Sequence, residues 1–140
     1  MTNDFTGPSW DLLAIYQHTK DPEIEKDFLK LGELLLEIEG LNRNLSKTEV
    51  EIAQKIFHRL QTSGELFSNL STYASCLLSV DSGDEGAQAL FGRLQRYRKD
   101  IGSASKPLHE FEALADEETL DEYFEDELVG QARFSIMHRR

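Results

Sequence analysis

Cysteine, basic residues and long apolar runs are scarce in this sequence, and each shortage excludes a class of protein. The single cysteine, Cys76, cannot form an internal disulfide or a cysteine-based zinc site. No uninterrupted apolar run approaches the roughly 20 residues that cross a bilayer. The N-terminal residues 1–10 contain Asp4 and no basic residue, unlike a secretory signal peptide. The sequence therefore predicts a protein of the reducing cytoplasm that does not enter a membrane.

Basic residues number 15 against 26 acidic residues, which gives a net charge of −11 at pH 7. Because nucleic acids are polyanions, this balance argues against a protein that binds DNA or RNA. The chain has 140 residues, of which 39% are hydrophobic, and this is typical of one globular domain with its own core.

The acidic excess lies in one segment, residues 110–127, which contains ten acidic residues and no lysine or arginine. The rest of the chain has 16 acidic and 15 basic residues, so it is nearly neutral. Apolar residues interleave the acids at helical spacing, which favours a solvated helix face. A docking surface for a basic partner is the alternative.

Apolar residues recur at steps of three and four along most of the chain, and no segment alternates as a strand would. This pattern predicts an all-α fold, a bundle of long antiparallel helices joined by short loops. Residues 1–20 are expected to form an extended N-terminal arm, and residues 21–140 a helical domain. The predicted helices cover about 22–41, 47–80, 85–104, 117–128 and 130–140.

Local signals set the expected ends of these helices. Asp21 and Pro22 suit the cap and first position of the first helix. A capping box, Ser at 46 and Glu at 49, starts the second helix at residue 47. Pro107 is expected to kink the third helix or to force a restart at about Lys106, because proline lacks an N–H group and clashes with the preceding turn. Asp116 is expected to cap the fourth helix.

A search for catalytic and metal-binding patterns assigns no catalytic, cofactor-binding or metal-binding residue to this chain. No two histidines have the spacing of the paired ligands in a zinc-peptidase helix. His109 and Glu110 begin such a pattern, but Ala113 stands where the second ligand is required. Cys76 has apolar neighbours, which favours a buried structural thiol over a catalytic one.

Residues 131–140 have a helical pattern without a glycine or asparagine stop signal. This pattern favours a fragment that ends inside a helix, and a natural end that frays is the alternative.

Three stretches of the sequence resemble oligoendopeptidase F-type zinc peptidases. Residues 10–16 (WDLLAIY), followed by Asp21 and Pro22, look like the opening of that family. Residues 73–81 (YASCLLSVD) resemble the end of its long N-terminal helix, and residues 86–94 (GAQALFGRL) resemble the start of the next helix. The resemblance spans essentially the whole chain, but it corresponds only to the N-terminal helical lobe of the family.

The resemblance implies a place in a larger enzyme. Members are cytoplasmic zinc metalloendopeptidases that cleave oligopeptides in a deep channel, and their His-Glu-x-x-His motif lies in a separate catalytic lobe. No position of this sequence matches those residues, so activity of the chain alone stays an open question. The chain would wall the channel and support the catalytic lobe, meeting oligopeptide substrates only indirectly. Trp10, Tyr16 and Tyr73 would be structural anchors, with ordinary core packing as the alternative.

A second hypothesis needs no larger enzyme. The chain would then be a stand-alone helical adaptor or dimerisation module that docks through an acidic or apolar face. Under the first hypothesis a homo-oligomer is also expected, because a lobe without its partner leaves apolar surface uncovered.

Overall fold

The structure is a computed structural model that describes residues 22–140. Six α-helices and no strand occur in that range, which confirms the predicted all-α bundle. The helices are α1 (Pro22–Asn44), α2 (Val50–Val80), α3 (Glu85–Leu114), α4 (Glu117–Tyr123), α5 (Glu127–Gln131) and α6 (Arg133–Arg139). The predicted arm at residues 1–20 lies outside the described range, so its form stays a prediction.

The three long helices each contribute to two compact units, and each unit has its own core. The first unit contains α1 up to Gly32 together with Gly64–Lys99. The second unit contains Glu33–Ser63 and Asp100–Arg140, and so includes α4, α5 and α6. Each unit therefore combines stretches of α1, α2 and α3 that are distant in sequence.

The core of the first unit is built from the predicted apolar stripes. Arg93 lies over the Phe28 ring, with its Cζ atom 3.9 Å from the ring centroid. Its guanidinium donates to both carboxylate oxygens of Glu25, at 2.6 and 3.2 Å, and this hydrogen bonding lowers the pKa of Glu25. The ion pair thus covers one edge of the core. The buried residues of this core are Ile24, Phe28, Leu70, Tyr73, Ala74, Leu90 and Leu94.

The core of the second unit receives side chains from all six helices. The rings of Phe111 and Tyr123 meet edge to face, with centroids 5.3 Å apart. Helices as short as α4, α5 and α6 are not stable alone in water, so burial of their apolar side chains is what holds them. The buried residues are Ile38, Val50, Ala53, Ile56, Leu108, Phe111, Ala115, Leu120, Tyr123, Val129 and Ile136.

The second helix begins at Val50 and not at residue 47, because Ser46 and Glu49 form a turn in place of the predicted capping box. The Glu49 N–H group donates to the Ser46 carbonyl at 3.2 Å, and the Glu49 carbonyl accepts from Ala53 at 3.1 Å. The first helix runs past residue 41 to Asn44, whose side-chain amide donates to the carbonyl of residue 40 at 3.3 Å.

The third helix does not end at residue 104, because α3 continues through Pro107 to Leu114. An interior proline costs about 3 kcal/mol through its missing N–H group and its steric clash. Leu108 and Phe111 lie beyond it on the same apolar stripe and are buried in the second core. Burying each of these side chains contributes roughly 1.5–3 kcal/mol, which outweighs the cost of keeping the helix intact.

The predicted helix at 117–128 is divided into α4 and α5 because each part has its own cap. Asp116 caps α4, as predicted, by accepting from the Thr119 N–H group at 2.8 Å. Asp126 caps α5 by accepting from the Val129 N–H group at 3.1 Å. The last predicted helix, 130–140, is shortened to α6, since residue 130 belongs to α5.

Among residues 22–140, none of the helices combines the length and hydropathy needed to cross a membrane. Cys76, which the sequence predicts to be buried, is half-buried on α2. The difference arises because Tyr73 and Ala74 face the core, while position 76 lies at the edge of their stripe.

Candidate functional site

A buried carboxylate marks a polar centre inside the second unit. Glu112 on α3 is only 4% exposed. Its Oε2 atom accepts a hydrogen bond from the Tyr123 hydroxyl at 2.6 Å, and its Oε1 atom accepts one from Arg139 Nη2 at 3.0 Å. A buried charge is costly unless it is paired and hydrogen-bonded, so these two donors make the burial of Glu112 possible. The network joins α3, α4 and α6.

Tyr123 acts in this network as a fixed hydrogen-bond donor. Burial raises the pKa of the Tyr123 phenol far above its ordinary value, and the hydrogen bond to the Glu112 carboxylate raises it further. The phenol is therefore protonated at neutral pH, as its role as donor to Glu112 requires. A catalytic acid or base needs a pKa near the working pH, so Tyr123 is suited to structure and not to proton transfer.

Two side chains of α2 hold the corner between α4 and α5. The Gln54 amide donates to the carbonyls of Glu122 and Tyr123, at 3.2 and 3.1 Å, at the C-terminal end of α4, where helix carbonyls lack their usual partners in the next turn. One turn further along α2, His58 Nε2 lies 3.0 and 2.8 Å from the two carboxylate oxygens of Asp126. The spacing of four residues places both side chains on one face of α2.

The carboxylate of Asp126 is stabilised in its ionised form. Partial burial raises its pKa, but hydrogen bonds from the Val129 N–H group and from His58 outweigh burial and leave the pKa below its ordinary value. The pKa of Asp116 is also lowered, chiefly by the hydrogen bond from the Thr119 backbone. Both caps are therefore charged at neutral pH, as the positive end of a helix favours.

The ten acidic residues of 110–127 thus fall into two groups. Glu112 is buried, and Asp116 and Asp126 are the caps of α4 and α5; all three accept hydrogen bonds inside the second unit. The prediction of a solvated face is wrong for Glu112, which is buried, and it fits the other group. The members of that group are exposed and are Glu110, Glu117, Glu118, Asp121, Glu122, Glu125 and Glu127.

Two cavities, of 300 and 200 Å³, open beside the Glu112 network. Both are lined by His109, Glu112 and Arg139, and apolar side chains of α2 line the smaller one. Both carboxylate oxygens of Glu112 are already engaged by Tyr123 and Arg139. At these cavities Glu112 and Arg139 are therefore already engaged in holding α3, α4 and α6 together.

A groove of 240 Å³ lies between α4 and α6. Arg133 reaches across it, with its Cζ atom 5.2 Å from the centroid of the Phe124 ring and its Nη2 atom 4.0 Å from Asp121 Oδ1. Both side chains of this ion pair are more than half exposed. The groove thus combines an apolar floor with carboxylates and a loosely held cation. Its lining residues are Glu117, Leu120, Asp121, Phe124, Arg133, Met137 and Arg140.

The outer side of α6 presents apolar side chains to water. Phe134 is 79% exposed and stacks on His138, with ring centroids 5.8 Å apart. Met137 is partly exposed and Ile136, on the inner side, is buried. Phe134 and Met137 thus add exposed apolar area next to the groove.

Of the three predicted anchors, only Tyr73 lies within the described residues. It is fully buried in the first core, and its anchoring role stays a prediction. Trp10 and Tyr16 lie outside residues 22–140. Within the described part of the chain, no group of three or more His, Cys, Asp or Glu side chains is placed to hold a metal ion.

Sequence reasoning missed the Glu112 network and the contacts made by Gln54 and His58. His58 and Asp126 are 68 residues apart, and Arg139 lies 27 residues beyond Glu112, so no local pattern links them. One signal could have marked Glu112. It follows Leu108 by four residues and so places a charge on the apolar stripe of α3.

Comparison of the chain with protein-family models, with curated proteins and with solved structures finds no match.

Proposed function

We propose that this chain is the N-terminal helical lobe of an oligoendopeptidase F-like zinc metalloendopeptidase of the cytoplasm. In that role it walls one side of the substrate channel and supports the catalytic lobe. The catalytic lobe would be its partner in the same polypeptide, and that lobe would hold the zinc ion and the bond to be cleaved.

One observation carries the proposal: the two longer stretches that resemble this family lie on either side of a single junction. Residues 73–81 form the last turns of α2 and end at Asp81, the first residue after the helix. Residues 86–94 lie in the first turns of α3, which begins at Glu85. The resemblance implies this arrangement, the end of a long helix followed by the start of the next.

The residue types at this junction have clear physical roles. The Asp81 carboxylate accepts from the Gly83 N–H group at 3.0 Å and so forms the turn. The Asp84 carboxylate accepts from the Ala87 N–H group at 3.0 Å and so caps α3. Tyr73 is buried in the first core on the α2 side of the turn. Tyr73, Asp81 and Ala87 belong to the resembling stretches, and the cap residue Asp84 lies between them.

The polar groups inside the second unit also support an architectural role. The Glu112 carboxylate accepts hydrogen bonds from Tyr123 and Arg139. The Asp126 carboxylate is hydrogen-bonded to His58 and to the backbone of α5. These contacts fix the positions of short helices, which is what a supporting lobe requires.

The zinc of that family is not proposed to bind this chain. His109 and Glu110 would need a second histidine at position 113, and Ala113 has no lone pair to offer a metal. The proposal therefore places the zinc ion in the catalytic lobe and assigns no catalytic role to residues of this chain.

The gene sequence beyond the codon for Arg140 tests the proposal. We expect the reading frame to continue and to encode a His-Glu-x-x-His motif. The remainder of that polypeptide, expressed as a separate piece, should co-purify with this chain and should cleave a fluorogenic oligopeptide only when zinc is present. A stop codon directly after Arg140 would overturn the proposal.

A stand-alone adaptor or dimerisation module is the second candidate, and the surface of α4 and α6 favours it. Eight acidic residues of the 110–127 segment are exposed, and Phe134 is 79% exposed. A stop codon after Arg140, together with a stable complex recovered with a second protein or a second copy, would support this candidate in place of the first.

A further inference from the structure

We propose that the two cavities beside the Glu112 network form one binding site for a small organic carboxylate with an apolar body. The carboxylate would pair with Arg139, and the apolar body would occupy the smaller cavity. The proposal rests on these cavities alone and would hold under either candidate function.

A guanidinium shared by the two cavities is held in place by the buried carboxylate. Arg139 lines both cavities, together with His109 and Glu112. One of its five N–H groups donates to Glu112 Oε1 at 3.0 Å, and no other acceptor among residues 22–140 takes a hydrogen bond from this side chain. The Arg139 side chain is 54% exposed, so a ligand can reach it. Glu112 therefore orients Arg139 and leaves most of its donors free for a ligand.

The charges at the larger cavity select an anion, although the chain as a whole is acidic. Arg139 and Arg140 line this cavity, and Glu112 is the one carboxylate among its lining residues. Both oxygens of Glu112 already accept hydrogen bonds, so they are not available to a cationic ligand. Arg140 donates to two backbone carbonyls at the end of α3, which carry no net charge. The lining therefore has an excess of positive charge, which attracts a carboxylate.

The smaller cavity supplies an apolar wall for the rest of the ligand. Phe57 and Leu60 line it from α2, and Ile101 and Leu108 line it from α3. Its volume of 200 Å³ exceeds the roughly 150 Å³ of an apolar protein cavity that takes up benzene. The space is therefore sufficient for one phenyl ring or a short alkyl chain. Pockets for small molecules commonly combine such apolar walls with a few fixed polar groups.

Titration with 3-phenylpropanoate, followed through the NMR shifts of the backbone amides, tests the proposal. The control ligand is 3-phenylpropanamide, which keeps the ring and loses the charge. We expect saturable binding of the acid with a Kd on the order of 0.1–1 mM, and binding of the amide that is weaker by about tenfold or more. The shifts should be centred on residues that line the two cavities. Equal affinity for the acid and the amide would overturn the proposal, as would shifts that do not saturate up to about 10 mM.

A variant of Arg139 tests the polar half of the site. Arg139→Lys keeps a cation beside Glu112 but loses the planar fork that matches a carboxylate, so it should weaken binding of the acid by about threefold to tenfold. Arg133→Lys, the same change at an exposed position of α6, should alter the affinity by less than about twofold. Equal effects of the two changes would overturn the proposal.

A variant of the smaller cavity tests the apolar half. Ser105 lines that cavity, so Ser105→Leu should fill part of it and weaken binding of the acid by about tenfold or more. Ser103→Leu, the same change at an exposed position of α3, is the control and should have little effect. Circular dichroism checks that the variants fold, and the comparison of acid with amide needs no variant. Unchanged affinity in folded Ser105→Leu would overturn the proposal.

Discussion

The Tyr123 hydroxyl donates a 2.6 Å hydrogen bond to the carboxylate of Glu112, an ion almost wholly removed from water. The second donor to that carboxylate, Arg139, comes from the last helix of the chain. The pair therefore links the stability of α3 and α4 to the docking of α6.

Tyr123→Phe is expected to lower the free energy of unfolding by about 1–3 kcal/mol, because it leaves one oxygen of a buried carboxylate without its donor. Urea unfolding measures the effect. Glu110→Gln, a change at an exposed acid on the same helix, should stay within about 0.5 kcal/mol of the parent chain. Equal stability of Tyr123→Phe and the parent would show that water replaces the hydroxyl.

Pro107→Ala is expected to stabilise the chain. Alanine restores an N–H group in the interior of α3 and removes the clash of the proline ring, which together cost about 3 kcal/mol in a regular helix. Because proline also restricts the unfolded chain, which offsets part of this cost, a gain of about 1–2 kcal/mol is expected. Thermal unfolding measures it, and a lower melting temperature would mean that the proline ring makes contacts worth more than the missing hydrogen bond.

Two glycines should respond in opposite directions to alanine. A Cβ atom at Gly102, inside α3, meets nothing within 4 Å, so Gly102→Ala should stabilise by about 0.5–1 kcal/mol. A Cβ atom at Gly130 would lie 2.8 Å from the Phe124 carbonyl oxygen, so Gly130→Ala should destabilise. Melting temperatures of the two variants, measured side by side, check the pair. Changes of the same sign would contradict the close approach of α5 to the end of α4.

The cap at Asp126 predicts a loss of stability in acid. Because its pKa in the folded chain lies below the ordinary value of 3.8, ionised Asp126 stabilises the fold above that pH. This contribution is lost as the pH falls through the lower folded-state value. The difference in unfolding free energy between the parent and Asp126→Asn should therefore be present above the ordinary value of 3.8 and should shrink as the pH falls below it. Asp100→Asn, at an exposed position of α3 with no capping role, should give a difference that varies much less.

Tyr73→Ala is expected to destabilise the chain by about 3–5 kcal/mol, because it removes a fully buried aromatic side chain. Leu29→Ala, at a position 67% exposed, is the control and should have a small effect. The predicted anchoring role needs a double-mutant cycle with deletion of residues 1–21. A strong coupling between the two changes supports an anchor, and strictly additive effects indicate core packing.

The first core could be predicted from the sequence because its signals are local. Pro22 suits the first turn of α1, and Ile24, Phe28 and Leu31 follow at helical steps. The passage of α3 through Pro107 could not be predicted in this way. It depends on the burial of Phe111 against side chains of other helices, and such tertiary contacts override local preference.

The polar contacts of the second unit could not be predicted from the sequence either. The acids of residues 110–127 look alike in sequence, and only packing distinguishes Glu112 from its exposed neighbours. His58 gives no local sign of pairing with Asp126, because the relative positions of α2 and α5 decide their distance. The division of 117–128 into two helices had one readable signal, a second capping aspartate at position 126.

The interleaved composition of the two units limits how this chain can be dissected. A piece that stops at Lys99 keeps the described part of the first unit, but it also carries Glu33–Ser63. In that piece Ile38 and Ile56 lack the core side chains that residues 100–140 supply. A piece from Glu33 to Arg140 keeps the second unit and carries Gly64–Lys99 with its own apolar stripe uncovered. Removing residues from either end of the chain therefore cannot isolate one unit without exposing apolar side chains of the other. Truncated pieces should therefore aggregate through their uncovered apolar side chains.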